Sequence, residues 1–147
     1  MSVQVNLVGF GSIAALALAA AGSLIGTNAA ALAALGAWKK CFVENRPAPF
    51  LLVAFVGAPL SQTIYGLILM NAVRAAPEGV DPLGRFAVGF VGGVIIGASA
   101  WVQGRVGALA ADAHAVTGRG FGNFIIVVGI IETVALLTMV FFTTALR

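Results

Sequence analysis

The stretch GFGNFIIVVGIIETVALLTMVFFTTAL, residues 120–146, decides the fold, because Glu132 is the only charged residue in it. About 20 apolar residues in a helix cross a hydrocarbon core roughly 30 Å thick, so the stretch predicts a transmembrane helix. Charged residues are also missing from residues 1–38, 47–73 and 86–104. The sequence therefore predicts four transmembrane helices, at about residues 6–37, 50–73, 83–111 and 123–145.

The composition is that of an all-α membrane protein. Of the 147 residues, 61% are hydrophobic and 9% charged, with a mean hydropathy of +1.07, far from the balance of a soluble domain. The short connections cannot fold as a catalytic domain, so we expect no catalytic site in this chain. The net charge of +3 comes from basic residues scattered without aromatic neighbours, so we expect no nucleic-acid partner.

The predicted loops contain most of the charge. The first loop holds Trp38, Lys39, Lys40, Cys41, Glu44 and Arg46 and closes with Pro47-Ala48-Pro49. The third, residues 112–122, contains His114, expected to be solvated, and the glycine-rich run 118–122, expected to be a flexible turn. Basic residues are more numerous on the side of these two loops. The positive-inside rule therefore predicts that the first and third loops are cytoplasmic and that both termini are external.

Small residues recur at every fourth position in the first and third helices. They are Gly22, Gly26, Ala30 and Ala34 in the first helix and Gly89, Gly93 and Gly97 in the third. Such stripes let helix backbones approach closely inside a membrane. We therefore expect helices one and three to be crowded inner elements and the bulkier helices two and four to lie outside them.

The two halves of the chain resemble each other. Ala31-Leu32-Ala33-Ala34 recurs as Ala108-Leu109-Ala110-Ala111, and Ser61-Gln62-Thr63-Ile64 aligns with Ile131-Glu132-Thr133-Val134. This pattern predicts a duplicated helical hairpin, with residues 1–75 as the first copy and 76–147 as the second. The second copy has Glu132 where the first has Gln62, so each chain carries one ionisable site.

Glu132 lies near the middle of the fourth predicted helix. An uncompensated carboxylate there costs at least a few kcal/mol, so it must be protonated, paired or bound to a cation. One interpretation is a protonated or salt-bridged packing residue, with Arg105 as the nearest basic candidate. The interpretation that we favour is a reversible ion-binding carboxylate.

Polar residues at the same depth can supply oxygens to a hard cation such as Na⁺. Ser61, Gln62 and Tyr65 lie in the second helix and Gln103 in the third, and Pro59 frees backbone carbonyls by bending the second helix. Alternatives stay open for each residue. Gln62 and Gln103 can simply hydrogen-bond to each other, Pro59 can be only a kink, and Tyr65 can donate to Glu132 or be a packed aromatic. Thr133 is expected to bond to a carbonyl of its own helix.

These motifs resemble a known family. Residues 58–66 (APLSQTIYG), 101–106 (WVQGRV) and 131–134 (IETV) are similar to the membrane rotor-ring proteolipid of V-type (vacuolar/archaeal-type) ATPases, known as the K or c subunit, and in particular to its Na⁺-transporting members. The resemblance implies Na⁺ ligands at Glu132, Gln103, Gln62, the Ser61 hydroxyl and the Ala58 carbonyl, with Tyr65 hydrogen-bonding the glutamate. The chain departs from the pattern in having Ser61 instead of threonine, and Leu60 and Thr63 instead of glycine.

The resemblance also implies an assembly and a mechanism. Identical subunits form a homo-oligomeric ring in lipid, with helices one and three inside. A stator membrane subunit supplies an arginine, and a central-stalk subunit links the ring to a soluble sector that hydrolyses or synthesises ATP. Glu132 carries Na⁺, or alternatively H⁺, as the ring rotates, without a nucleotide or organic cofactor. The expected location is a prokaryotic plasma membrane.

Two rival functions remain at the level of sequence. One is a small four-helix transporter that exchanges protons for cationic drugs, but such transporters carry the acid in the first helix, which here has none. The other is a tetraspan scaffold without transport activity, in which Glu132→Gln would leave transport unchanged.

Overall fold

The computed structural model describes residues 6–147, and all of their regular structure is helical. Four helical spans are long and apolar enough to cross a membrane, as predicted. They are the first span, Leu7–Val43, the second span, Leu52–Ala75, the third span, Pro82–Thr117, and the fourth span, Phe121–Thr144. Residues 1–5 of the predicted first hairpin lie outside the described residues.

The first and third spans begin at polar caps. The Asn6 side chain accepts the Gly9 N–H at 2.8 Å, and the Asp81 side chain accepts the Gly84 N–H at 2.9 Å, so each satisfies a free donor of a first turn. The turn between the third and fourth spans uses Gly118 and Gly120, with φ of 64° and 78°. Glycine adopts this left-handed conformation without strain, so the predicted flexible turn has a defined conformation.

The first and third spans extend beyond their predicted ends, which corrects two of the predicted loops. Residues 38–43 and 112–117 are helical, so Trp38, Lys39, Lys40 and Cys41 belong to the first span rather than to a loop. The prediction ended each helix where the charged residues begin, but charged residues outside the hydrocarbon core give a helix no reason to stop. The first span ends instead before Asn45, which has a φ of 51°.

His114 is also corrected, because it is buried on the third span rather than solvated in a loop. It is 6% exposed, its Nδ1 lies 3.1 Å from the Arg119 carbonyl oxygen, and its ring centroid is 5.7 Å from that of Phe121. Cys41 is buried in the same core region as Phe55 and Val128. Both side chains therefore pack at the end of the bundle where the first and third spans stop.

Glycines bring the first and third spans into backbone contact, as their stripes predicted. A Cβ atom on Gly22 would overlap the backbone of Gly97, and one on Gly104 would overlap the backbone of Gly26. A Cβ atom on Gly89 would meet the backbone of Gly11. These two spans therefore pack at a distance that larger side chains would prevent.

The fourth span presents most of its bulky side chains outwards, whereas the second span buries Leu52, Phe55 and Leu69. The fourth span buries only Val128 and Ala135 among its described residues, while Ile126, Ile130 and Phe141 are exposed. The second span is interrupted at its middle: helix Leu52–Gly57 is followed by a 3₁₀ turn, Ala58–Leu60, and then by helix Ser61–Ala75. Pro59, which has no backbone N–H, lies within this turn.

Candidate functional site

Glu132 lies at the middle of the fourth span and is partly buried against the second span. The Tyr65 hydroxyl donates to Glu132 Oε1 at 2.8 Å. Tyr65 is positioned by the second half of the second span, whose residue Gly66 packs directly against Ala19 of the first span. The packing of the second span against the first thus supports the hydroxyl that orients the carboxylate.

Gln103, which is fully buried in the third span, connects the two helices of the site. Its Nε2 donates to the Val128 carbonyl at 3.0 Å and to Glu132 Oε2 at 3.3 Å. Its Oε1 accepts from Gln62 Nε2 at 2.7 Å. The amide therefore touches the fourth span through its nitrogen and the second span through its oxygen.

The interrupted part of the second span supplies three more oxygens. The Ser61 hydroxyl lies 3.0 Å from the Ala58 carbonyl oxygen and 3.1 Å from Gln62 Oε1. Because the 3₁₀ turn at Ala58–Leu60 breaks the regular α-helical bonding, the Ala58 carbonyl points at a side chain instead of only at a backbone N–H. Gln62 itself is fully buried.

The sequence-predicted residues thus form one hydrogen-bonded network. It runs from Ala58 through Ser61, Gln62 and Gln103 to Glu132, and Tyr65 closes it on the other carboxylate oxygen. The Gln62–Gln103 hydrogen bond, one of the alternatives left open by the sequence, is present. Thr133 lies outside the network, because its hydroxyl donates to the Ile130 carbonyl at 2.6 Å within its own helix.

Glu132 has no basic partner within residues 6–147. The salt bridge found in this part of the chain joins Arg46 to Glu44 at 2.7 Å, in the first loop. Arg105, the nearest basic candidate from the sequence, is exposed, and its guanidinium carbon lies 5.9 Å from the centroid of Trp101. A carboxylate in this position is neutralised within the chain only by a proton or a bound cation.

The donor set suits a monovalent hard cation better than a transition metal. No three His, Cys, Asp or Glu side chains cluster as metal ligands in the described part of the chain. The network instead offers one carboxylate, two amide oxygens, one hydroxyl and one main-chain carbonyl. Oxygen ligands of this kind bind hard cations, and a single negative charge balances a single positive one.

Sequence reasoning missed two participants. Ser99 donates its hydroxyl to the Ile131 carbonyl at 3.0 Å, and the Val128 carbonyl accepts from Gln103. Ser99 precedes Gln103 by one helical turn, so its place on the same face was available from the sequence. The role of the Val128 carbonyl could not be predicted from the sequence, because every residue has a backbone carbonyl oxygen.

A protein-family model for the C subunit of ATP synthase matches residues 86–143. The match spans most of the third and fourth spans and includes both Gln103 and Glu132. A comparison with curated proteins gave no match. Members of this family form homo-oligomeric membrane rings beside a stator subunit and have no catalytic activity of their own. The second hairpin of this chain, which carries the acid of the site, is thus similar to the c-subunit proteolipids of rotary ATPases.

Proposed function

We propose that this chain is the rotor-ring subunit of a V-type ATPase and that Glu132 reversibly binds Na⁺ in the middle of the membrane. The observation that carries the proposal is the network around Glu132, in which a lone acid is joined through Gln103 to the oxygens of Gln62, Ser61 and Ala58. Rotation of the ring then carries the ion past a stator, coupled to ATP hydrolysis or synthesis in a separate soluble sector.

The number of spans favours the V-type over a ring built of single hairpins. The matched family model covers one hairpin, whereas the chain has a second hairpin before it. In that first hairpin, Gln62 stands where the second has Glu132, and both side chains are hydrogen-bonded to Gln103. An ancestral duplication followed by loss of one acid accounts for both features.

The ligand set favours Na⁺ over H⁺. A proton needs one acceptor, which Glu132 alone provides, and the other four oxygens would then have no role in transport. A hard cation needs several oxygens at once, and Gln103, Gln62, Ser61 and Ala58 carry oxygens in the hydrogen-bonded network that reaches Glu132 Oε2. Tyr65 holds the other carboxylate oxygen, so the acid stays oriented towards these ligands.

The transport cycle follows from the electrostatics of the acid. With Na⁺ bound, the site is neutral and Glu132 can face lipid on the sparsely buried fourth span. At the stator, an arginine supplied in trans pairs with the carboxylate and displaces the ion into a half-channel. The chain itself binds no nucleotide in this scheme.

The proposed orientation places the first and third loops in the cytoplasm. Lys39 and Lys40 are exposed at the end of the first span, and Arg46 donates to the Ala115 carbonyl at 3.3 Å, which joins the first loop to the end of the third span. This end of the bundle therefore combines positive charge with a braced loop, which suits contact with a central-stalk subunit in a prokaryotic plasma membrane.

Carbodiimide labelling of Glu132 tests the proposal. In the purified ring, labelling at fixed pH is expected to slow as Na⁺ is added, because the cation occupies the carboxylate, whereas K⁺ at equal ionic strength should protect less. Glu132→Gln should abolish labelling, and Glu44→Gln, which alters an exposed loop acid, should leave it unchanged. Labelling that responds to pH but not to Na⁺ would indicate a proton ring instead.

The drug-transporter alternative gains no support. Its acid belongs in the first helix, and the first span has no acidic residue. The apolar stripe of small residues on that span is instead occupied by close contact with the third span.

A further inference from the structure

Ser23 has an unusual environment for a hydroxyl within a membrane helix. It is 2% exposed, and its Oγ has no hydrogen-bond partner among residues 6–147. Ser12, Thr133 and Thr138 donate to a carbonyl about one turn earlier, whereas the hydroxyls of Thr27 and Thr143 share the unpartnered state of Ser23 in the described part of the chain. Ser23 therefore leaves both a donor and an acceptor unused in a place from which water is excluded.

The packing of the first span against the second places Ser23 at the level of Gln62. Ala19 meets Gly66, and Gly26 meets Pro59, so the two helices run antiparallel between these contacts. Ser23 lies four residues after Ala19 and three before Gly26, while Gln62 lies four before Gly66 and three after Pro59. Positions three and four residues apart share a helix face, so Ser23 and Gln62 face each other between the two contacts.

The Gln62 amide needs a second partner if the site binds a cation as proposed. In the structure, Gln62 Nε2 donates to Gln103 Oε1 at 2.7 Å. Gln103 presents its Nε2 to Glu132 Oε2 at 3.3 Å, so its amide has to turn away from Gln62 before Oε1 can ligate Na⁺ beside the carboxylate. When the bond opens and both amide oxygens turn to the ion, the Gln62 nitrogen becomes a buried donor without an acceptor, which is strongly unfavourable.

We propose that the Ser23 hydroxyl accepts the Gln62 amide when the cation binds, and so acts as a positioning residue for the Gln62 ligand. This inference rests on the proposed Na⁺ site and extends it to the first span, which contributes no ligand. The exchange keeps the hydrogen bonds of the site balanced: Gln62 Nε2 gives up Gln103 Oε1 and gains Ser23 Oγ, while Gln103 Oε1 gains the cation.

The test is Na⁺ protection of Glu132 against carbodiimide in the purified Ser23→Ala ring. The Na⁺ concentration for half protection is expected to rise about tenfold, the effect of one buried amide left without an acceptor. Labelling without added Na⁺ should stay at the rate of the unaltered protein, because Ser23 does not contact Glu132. Ser23→Thr, which keeps the hydroxyl, should restore most of the protection.

Ser12→Ala is the matched control. Ser12 is a fully buried serine on the same span, but it donates to the Gly9 carbonyl and lies far along the helix from the site. Its removal should leave Na⁺ protection unchanged. If the unaltered ring is protected by Na⁺ and Ser23→Ala is protected equally well, the role of Ser23 is wrong while the Na⁺ site stands. If the unaltered ring shows no Na⁺ protection, both proposals fail.

Discussion

Glu132 is held at both of its carboxylate oxygens by uncharged donors. Tyr65 donates to Oε1 at 2.8 Å, and Gln103 donates to Oε2 at 3.3 Å. Hydrogen bonds to the ionised form stabilise it but do not neutralise it, so a proton, a cation or an arginine in trans is still required in the membrane. The two hydrogen bonds therefore fix the orientation of the carboxylate before any of these positive groups binds.

Removing the tyrosine hydroxyl tests this orientation at the residue scale. Tyr65→Phe deletes the hydrogen bond that orients the carboxylate, so Glu132 is held less firmly beside the proposed cation ligands. The Na⁺ concentration that half-protects Glu132 from carbodiimide is expected to rise about tenfold. Trp101→Phe, an exposed aromatic on the third span, is the control and should leave this concentration unchanged. An unchanged Na⁺ concentration in Tyr65→Phe would show that the hydroxyl does not orient the carboxylate.

Most of the site was predictable from residue types at a common depth, but the contacts were not. Gln62, Tyr65 and Gln103 stand out because polar residues are rare in apolar helices, and the structure brings them within one network. Their hydrogen-bond partners depend on helix rotation, which residue spacing restricts only within one helix. The alternatives for Gln62 and Pro59 could therefore not be separated without the packing of three spans.

At the scale of the helices, the first and third spans form the most closely packed pair of the protomer. Gly22 and Gly97 meet backbone to backbone, as do Gly26 and Gly104. Contacts this close exclude side chains and let dispersion act between the two backbones along their length. The second and fourth spans pack against this pair, and the network joins them through Gln103 of the third span.

A glycine-to-alanine substitution should destabilise the protein where the glycine contacts another backbone and have little effect where it does not. Gly22→Ala places a Cβ atom against the Gly97 backbone and is expected to destabilise the protomer by about 1–3 kcal/mol through overpacking. Gly36→Ala on the same span meets no heavy atom within 4 Å in the described part of the chain and should be neutral or slightly stabilising. Thermal unfolding in detergent measures both. Equal stability of the two variants would contradict the close contact.

Helix ends were the least predictable elements. The sequence prediction stopped the first helix at residue 37 and the third at 111, yet the helices continue to Val43 and Thr117. Hydropathy measures where the hydrocarbon core ends, whereas a helix ends where its backbone turns. That difference also explains His114, whose polar side chain indicated a loop although it packs against Phe121.

At the scale of the whole molecule, the protomer exposes more apolar surface than a monomer in water tolerates. Leu24 and Leu32 on the first span and Val94 and Trp101 on the third are exposed. These residues lie outside the close glycine contacts between the two spans. In the proposed ring, lipid would cover such a surface on the second and fourth spans. Neighbouring protomers and the interior of the ring would cover the first and third spans, as in the ring assembly of the c-subunit proteolipids.

Detergent extraction should therefore release a large closed homo-oligomer. Native mass spectrometry is expected to give one main species whose mass is a single whole multiple of the 14.9 kDa chain, because ring closure fixes the number of subunits. Gly36→Ala, which leaves the packing of the protomer intact, provides a comparison for correct assembly. A stable monomer or dimer as the main species would contradict the ring and favour a small transporter.

In the proposed rotor, the presence of Gln62 at the position equivalent to Glu132 has a consequence for the energetics of pumping. Each protomer contributes four helices to the circumference of the proposed ring but only one exchangeable charge, on the fourth span. A full turn therefore carries one ion for every two hairpins, fewer than a ring of equal girth with an acid in each hairpin. Because the energy of ATP hydrolysis is then divided among fewer ions, each can be driven against a steeper electrochemical gradient. In the proposed motor, a single amide in place of a carboxylate would thus lower the number of ions moved per turn and raise the gradient that the motor could sustain.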